Sequence, residues 1–299
     1  MIKQSVIDEL AQAGIAFKQN ECVASRSTFK VGGIADIAVF PTGRDELVET
    51  IRILRKESIR TEIIGNASNV LFAFDHFDGA LVFTSGISNV TVEGNRILAD
   101  CGSSLTYLSQ TAAKSSLSGL EFAYGIPGLV GGSVYMNAGA YGSQMSEVVE
   151  YTDAYDLSRN EVVRIYDHGF AYRKSIYMDT SDLICLGACF SLKSGDNSDI
   201  MAKMSENMDC RRKNQPLEFP SAGSYFKRPQ GYFAGKLIED CGLKGLRVGG
   251  AEVSVKHAGF IVNRGGATWR DILELEEKIK EIVMSRYSVL LEREVRLIG

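Results

Sequence analysis

The chain has 299 residues, a formal net charge of −4, 45% hydrophobic residues and 23% charged residues. It is too long for one small core, so two or three domains are expected, and its charge argues against general nucleic-acid binding while leaving room for local cationic sites. No run of 18 apolar residues occurs and Asp8 and Glu9 interrupt the N-terminal segment, so neither a membrane-spanning helix nor a secretory signal is expected, and the location is read as cytoplasmic.

In chain order, residues 2–13 predict a short helix stopped by Gly14. Ile34–Phe40 alternates in part and reads as a strand closed by Pro41. Residues 44–57 carry Leu47, Val48, Ile51 and Leu54 on one helical stripe, and Thr61–Ile64 is a short strand feeding the loop Gly65-Asn-Ala-Ser-Asn69. Strand, helix and strand in that order predict a βαβ unit. Ala80–Thr84 reads as a strand, and two more flank a hairpin turn at Glu93-Gly94-Asn95. A helix over 104–117 follows, started by Ser103 or Ser104 and stopped by Gly119. Strands are expected near 149–156, 161–166 and 183–192. Asn197 or Ser198 is placed to cap the next helix, whose buried stripe is Ile200, Met204 and Met208.

The last hundred residues read as a separate α+β lobe. Thr268-Trp-Arg-Asp271 has the form of a capping box, with Asp in the Glu/Gln position. The helix behind it, 269–286, carries Ile272, Leu275, Ile279 and Ile282 on one face. The final strand alternates, with Leu291, Val295 and Leu297 on one side and Glu292, Glu294 and Arg296 on the other. Six cysteines, Cys22, Cys101, Cys185, Cys189, Cys210 and Cys241, form no Cys-x-x-Cys and read as buried, reduced core thiols. His76, His168 and His257 are scattered without ligand spacing, so no metal is assigned.

The most informative stretch is 119–142, where seven glycines fall in 24 residues among apolar neighbours, which is not the composition of a flexible linker. Glycine lets backbone N–H groups approach a ligand closely, and successive exposed amides suit a pyrophosphate. No Lys follows the glycines as a nucleoside-triphosphate loop requires, and Gly-x-Gly-x-x-Gly is absent. On composition alone, a tight set of buried turns without a ligand stays open.

Gly125-Ile-Pro-Gly-Leu-Val-Gly-Gly132, followed by Met136-Asn-Ala-Gly-Ala140, resembles the flavin-binding signature of the UDP-N-acetylenolpyruvoylglucosamine reductase family, which makes a bacterial cell-wall precursor. Separated motifs support the resemblance from Thr28 to the C-terminus. It implies an α+β fold: a two-lobed FAD-binding module of the vanillyl-alcohol oxidase type, with lobes 1–77 and 78–196, plus a C-terminal α+β substrate domain, 197–299. FAD contacts are then expected from Gly65, Asn66, Ala67, Ser68 and Asn69, and from Gly125, Ile126, Pro127, Gly128, Gly131, Gly132, Asn137, Ala138, Gly139 and Ala140. The family form carries glycine where this chain has Ala67, and alanine is strained at positive φ. Neither motif contains His or Cys, so the FAD is expected to be non-covalent.

Phe170-Ala-Tyr-Arg-Lys-Ser175 matches the family's Tyr-Arg-x-Ser element, and the resemblance gives Arg173 the developing enolate of the substrate. Ser221–Pro229 is similar to the proton-donor loop and places the donor at Ser224; the longer family form has Asn where this chain has Arg228. Leu291-Glu-Arg-Glu-Val-Arg296 matches the terminal element and singles out Glu294. Tyr172, Arg212, Lys227, Arg228 and Lys256 are the expected substrate contacts, the cations suiting a diphosphate. As bare residues, Arg173 and Lys174 read as a solvated pair, Ser224 as part of a turn and Glu294 as the charged face of an edge strand. The implied activity is NADPH-dependent reduction of UDP-N-acetylglucosamine enolpyruvate to UDP-N-acetylmuramate in peptidoglycan precursor synthesis, by a monomer with no nucleic-acid or membrane partner. Another FAD-dependent oxidoreductase of the same fold, or a non-catalytic flavin or nucleotide-sugar binding protein, stays open as an alternative.

Overall fold

The computed structural model describes residues 2–299, and their packing sorts them into two units, each drawn from distant parts of the chain. One unit takes the chain up to Gln19, Ile37–Asn66 and Gly79–Arg211; the other takes Asn20–Asp36, Ala67–Asp78 and Arg212–Gly299.

In the first unit, helix Arg44–Lys56 buries Leu47, Val48, Ile51 and Leu54 as its period requires. Asp45 and Glu46 in its first turn and Arg55 and Lys56 in its last complement the helix dipole. That face shares a core with Val6 and Leu10 of helix Gln4–Gln12 and with Ile37, Val39, Ala80 and Val82 from strands. The strands form a sheet in the order Ala16–Cys22, Ile34–Phe40, His76–Phe83, Thr61–Ile64. The expected strand–helix–strand unit is present, but His76–Phe83 inserts between its two strands and pairs in parallel with Thr61–Ile64. This inserted strand begins four residues earlier than its apolar run, because its first residues alternate exposed and buried.

A second, antiparallel sheet of this unit runs Glu161–Ile165, Val149–Asp156, Leu183–Ser191, Arg96–Asp100, Val90–Glu93. Its hairpin turns at Gly94-Asn95, where Glu93 pairs with Arg96 and Gly94 takes φ +59°. Helix Leu105–Lys114 is capped by Ser104, whose Oγ accepts from Tyr107 N. It stops before Gly119, because Ser116 turns left-handed and Leu117–Ser118 leaves to pair with Lys193–Ser194. Helix Asn197–Asn214 is capped neither by Asn197 nor by Ser198: Asp196 Oδ1 accepts from Ser198 N and Asp199 N. Its buried residues are Ile200, Met204 and Asn207, the last because its Nδ2 donates to Glu121 O at 3.0 Å, while Met208 is only half-buried.

The second unit holds an antiparallel sheet in the order Ser221–Ser224, Phe260–Asn263, Ala251–Val253, Arg247–Val248. Helix Trp269–Tyr287 packs its Ile272, Leu275, Ile279 and Val283 into the same core as Val253, Ile261 and Tyr225. Ile282, expected on that face, is 39% exposed, and Val283 takes its place. Both lie one turn from Ile279, and only one falls within the packed arc. The alternation expected over 291–297 also fails at Leu297, which is 43% exposed while Ile298 is buried. The segment changes partner: Lys227 N donates to Glu292 O and Glu294 N to Tyr225 O, whereas Arg296–Ile298 pairs in parallel with Val70–Phe72.

Cys101 and Cys189 are buried and Cys185 and Cys241 half-buried, but Cys22 and Cys210 are exposed, which corrects the reading of all six as core thiols. Cys22 ends a strand with mostly exposed side chains, and Cys210 lies off the buried stripe of its helix. Among the described residues no helix is long and apolar enough to cross a membrane.

Candidate active site

In the first unit, Gly65 and Asn66, the start of the 65–69 loop, meet the glycine-rich segment 125–132. Asn66 Nδ2 donates to Pro127 O at 2.7 Å, and a Cβ on Gly65 would lie 3.8 Å from Leu129. The segment 125–132 is held from behind: Gly125 N donates to Thr106 Oγ1, Val130 N to Ser103 O and Gly131 N to Cys101 O. A Cβ on Gly131 would sit 3.0 Å from Cys101, so glycine allows this close seating, and burial pushes the Cys101 thiol up. Gly132 faces the other way, with nothing within 4 Å of where its Cβ would be. A segment anchored through its backbone and open at Gly132 fits a dinucleotide that is read through main-chain groups.

Asn137 extends this segment toward Arg173. It is fully buried at φ +41° and spends its side chain within the protein. Its Nδ2 reaches Ala171 O at 3.0 Å and Gln144 Oε1 at 3.3 Å, and its Oδ1 accepts from Ser146 N at 2.9 Å. Arg173 directs Nη1 to Asn137 O at 3.4 Å and Nη2 to Gly139 O at 3.1 Å. The turn that carries it is closed by an Ala171–Lys174 bridge and by Ser175 Oγ donating to Tyr135 O at 2.7 Å. His168 is buried and stacked on Phe170, its Nε2 lies 3.1 Å from Thr152 Oγ1, and burial lowers its pKa. Tyr172 is 51% exposed beside the Arg173 guanidinium. The second glycine-rich motif, Tyr172 and Arg173 are thus one piece of structure.

In the second unit three separated motifs converge. Ala67 is buried at φ +46°, the left-handed backbone that glycine adopts most readily. Thr28 Oγ1 stands 2.8 Å from Ser221 O and 3.2 Å from Ala67 O, linking that loop to the strand that ends at Ser224. Asn69 grips the C-terminal segment twice, its Nδ2 donating to Glu294 O at 3.2 Å and its carbonyl accepting from Arg296 N at 2.9 Å. Glu294 N in turn donates to Tyr225 O at 2.9 Å, so the backbones of Ser224 and Glu294 lie on adjacent, paired segments. Ser224 is exposed although Ala222, two residues earlier, is buried, because the register slips between Ser221 and Ser224, where Gly223 takes φ +78°; Tyr225, just past the strand, is buried.

The expected cations engage different partners. Lys256 Nζ donates to Arg212 O at 2.8 Å, which joins these two. Lys227 pairs with Glu292 at 3.2 Å, and Arg228 lies over the Phe233 ring at 3.9 Å. His257 Nδ1 accepts from Gly259 N, and burial lowers its pKa, so it too is packed. The bonding of Asn137 and the link through Thr28 escaped sequence reasoning, since their partners are main-chain atoms of remote residues.

Residues 35–166 match the FAD binding domain family, and residues 215–298 match the C-terminal domain of UDP-N-acetylenolpyruvoylglucosamine reductase. A UDP-N-acetylenolpyruvoylglucosamine reductase of Caldanaerobacter subterraneus is 46% identical over 281 residues, 94% of this chain and 93% of that protein. The chain belongs to the UDP-N-acetylenolpyruvoylglucosamine reductase family. The reductase of Lactobacillus acidophilus is 42% identical over 97% of both chains. The crystal structure of the reductase from Thermus caldophilus superposes with a TM-score of 0.80 at 31% identity, covering 95% of this chain and 99% of that one. An alkyldihydroxyacetonephosphate synthase, 13% identical with a TM-score of 0.50 over 65% of this chain, shares the fold alone. The chain is accordingly an α+β flavoenzyme, an FAD-containing UDP-N-acetylenolpyruvoylglucosamine reductase of peptidoglycan synthesis, as residues 125–140 led one to expect.

Proposed function

We propose that this reductase works in two half-reactions, with NADPH as hydride donor, a non-covalently held FAD, and Arg173, Ser224 and Glu294 as the residues that act on the sugar substrate. Bound FAD supplies the hydride chemistry between NADPH and the enolpyruvyl double bond. Gly65–Asn69 and the backbone of 125–140 hold it; Asn137 does so by shaping the loop, since its own side chain is engaged elsewhere. When the β-carbon of the enolpyruvyl group gains hydride, charge develops on the α-carbon and its carboxylate. Arg173 meets that charge with a permanently ionised guanidinium, and Glu294 offers a hydrogen-bonding carboxyl. The Ser224 hydroxyl gives its proton to the α-carbon and recovers one from solvent. Serine is a weak acid, but the carbanion is a strong base, which supplies the driving force for the transfer.

What carries this reading is the Glu294 N to Tyr225 O bond, which sets the family's last two motifs side by side. The diphosphate is assigned to Lys227, Arg228 and the joined pair Arg212 and Lys256, and Tyr172 is assigned to the sugar-nucleotide as well. Functionally, segments 1–77 and 78–196 act as the flavin lobes and 197–299 as the substrate domain. The enzyme works as a cytoplasmic monomer.

Anaerobic stopped-flow absorbance tests the assignment. Reduction of FAD by NADPH stays near normal in Arg173→Ala, Glu294→Gln and Ser224→Ala. Reoxidation by the enolpyruvyl substrate slows on the order of 10²–10³-fold, the scale for losing a group aimed at developing charge. Equal losses in both phases would assign these residues to fold or flavin retention instead.

A further inference from the structure

The residues next to Ser224 and Glu294 in sequence face inward and meet at one carboxylate. Tyr225 is fully buried, and its Oη donates to Glu276 Oε2 at 2.8 Å. Arg293 Nε lies 3.6 Å from Glu276 Oε1, and Lys280, one helical turn on, is ion-paired with the same oxygen. Glu276 is 1% exposed and interrupts the apolar face of helix Trp269–Tyr287. Burial pushes the Tyr225 hydroxyl well above its ordinary range, so it stays protonated as a donor. The two segments that converge here are also paired with each other, through Glu294 N to Tyr225 O, Lys227 N to Glu292 O and the Phe226–Arg293 bridge.

A buried ion cluster of this kind adds little net stability over apolar residues of the same volume. What it adds is direction: the Tyr225 hydrogen bond sets position in a way that apolar contact does not, and the Arg293 ion pair, at 3.6 Å, holds the second segment to the same carboxylate by charge. We propose that Glu276 is a positioning residue for the reaction, fixing through Tyr225 and Arg293 the two backbone segments that present Ser224 and Glu294. This rests on the roles proposed above for Ser224 and Glu294. Glu276 touches neither substrate nor flavin in this assignment, and it acts only through its two neighbours.

The test compares Tyr225→Phe, Glu276→Gln, Ser224→Ala and the double variant Tyr225→Phe/Ser224→Ala as FAD-loaded proteins, with both half-reactions followed by stopped flow. Reduction by NADPH is expected near wild type in all four. Reoxidation is expected to fall about ten- to a hundredfold in Tyr225→Phe and Glu276→Gln, the scale of a misplacement of about 1 Å. In the Ser224→Ala background, Tyr225→Phe is expected to cost far less than it does alone, because the group it positions is gone. A merely structural role would slow both phases together and give additive losses in the double variant; either result overturns the proposal. Should Glu276→Gln not fold, Tyr225→Phe decides, since it deletes only a hydroxyl. Wild-type reoxidation in Ser224→Ala would overturn the donor role and this inference with it. A slow Ser224→Ala beside a wild-type Tyr225→Phe would overturn the positioning role alone.

Discussion

Arg173, Asn137 and Ala67 all sit in left-handed backbone, at φ +54°, +41° and +46°. Such a conformation costs a residue with a Cβ roughly 1–2 kcal/mol and persists only where the surroundings impose it. Around Arg173 the imposing bonds are Asn137 Nδ2 to Ala171 O and Ser175 Oγ to Tyr135 O. At Ala67 the strain is carried by a residue with a Cβ. Ala67→Gly relieves it but frees the unfolded chain by about 0.4–1 kcal/mol, so the two effects nearly cancel. The expected result is a stability within about 1 kcal/mol of wild type and unchanged flavin retention, read by chemical denaturation and flavin absorbance. Loss of flavin would mean that the Ala67 methyl is itself part of the cofactor contact. Arg173, Ser224 and Glu294 were legible only as members of motifs, because a lone arginine, serine or glutamate reads as surface. Their supports were not legible, since Ala171, Tyr135 and Tyr225 contribute main-chain carbonyls, which every residue has.

Among the elements, helix Trp269–Tyr287 states its own beginning. Thr268 Oγ1 accepts from Asp271 N, and the Asp271 carboxylate accepts from Thr268 N at 2.9 Å. Thr268→Ala is expected to cost about 1 kcal/mol, measured by urea denaturation. The Thr268 N–H holds the Asp271 carboxyl below the usual carboxylate range. Because the folded pKa is depressed, this stabilisation is complete above the unfolded value of about 3.9 and is lost as pH falls through the folded value. Asp271→Asn should therefore flatten the fall in stability on acidification in that window, while changing the wild-type slope at neutral pH little. A variant as acid-sensitive as wild type would show that other carboxylates carry the effect. Capping boxes are readable because they are local. The cap of Asn197–Asn214 was misplaced by one or two residues because Asp196, Asn197 and Ser198 are all competent caps, and only the packed helix selects one. The broken alternation at Leu297 has a different origin, the change of strand partner between Glu294 and Arg296.

At the scale of the whole molecule, each unit is assembled from three segments that are remote in sequence. A flavin held by folded main chain has no site once those segments part, and Cys101, seated against Gly131, is buried with its thiol pushed up. Acid or heat denaturation followed by filtration is expected to pass yellow FAD into the filtrate; flavin kept on the denatured chain would establish a covalent bond. The sequence by itself determined the helices with one apolar face, the hairpin at Gly94, the capping box at Thr268 and, through 125–140, the family and its flavin chemistry. These are signals of short range, set by backbone preference and period, and they survive in any window of a dozen residues. Only the tertiary structure decided that His76–Phe83 enters between two consecutive strands, that Asn137 ties the glycine-rich segment to the Arg173 turn, and that Tyr225 stands beside Glu294 and bonds Glu276. Hydrogen-bonding groups are alike along the whole backbone, so which remote segments pair is settled by the cores they bury together, and no local pattern records that choice.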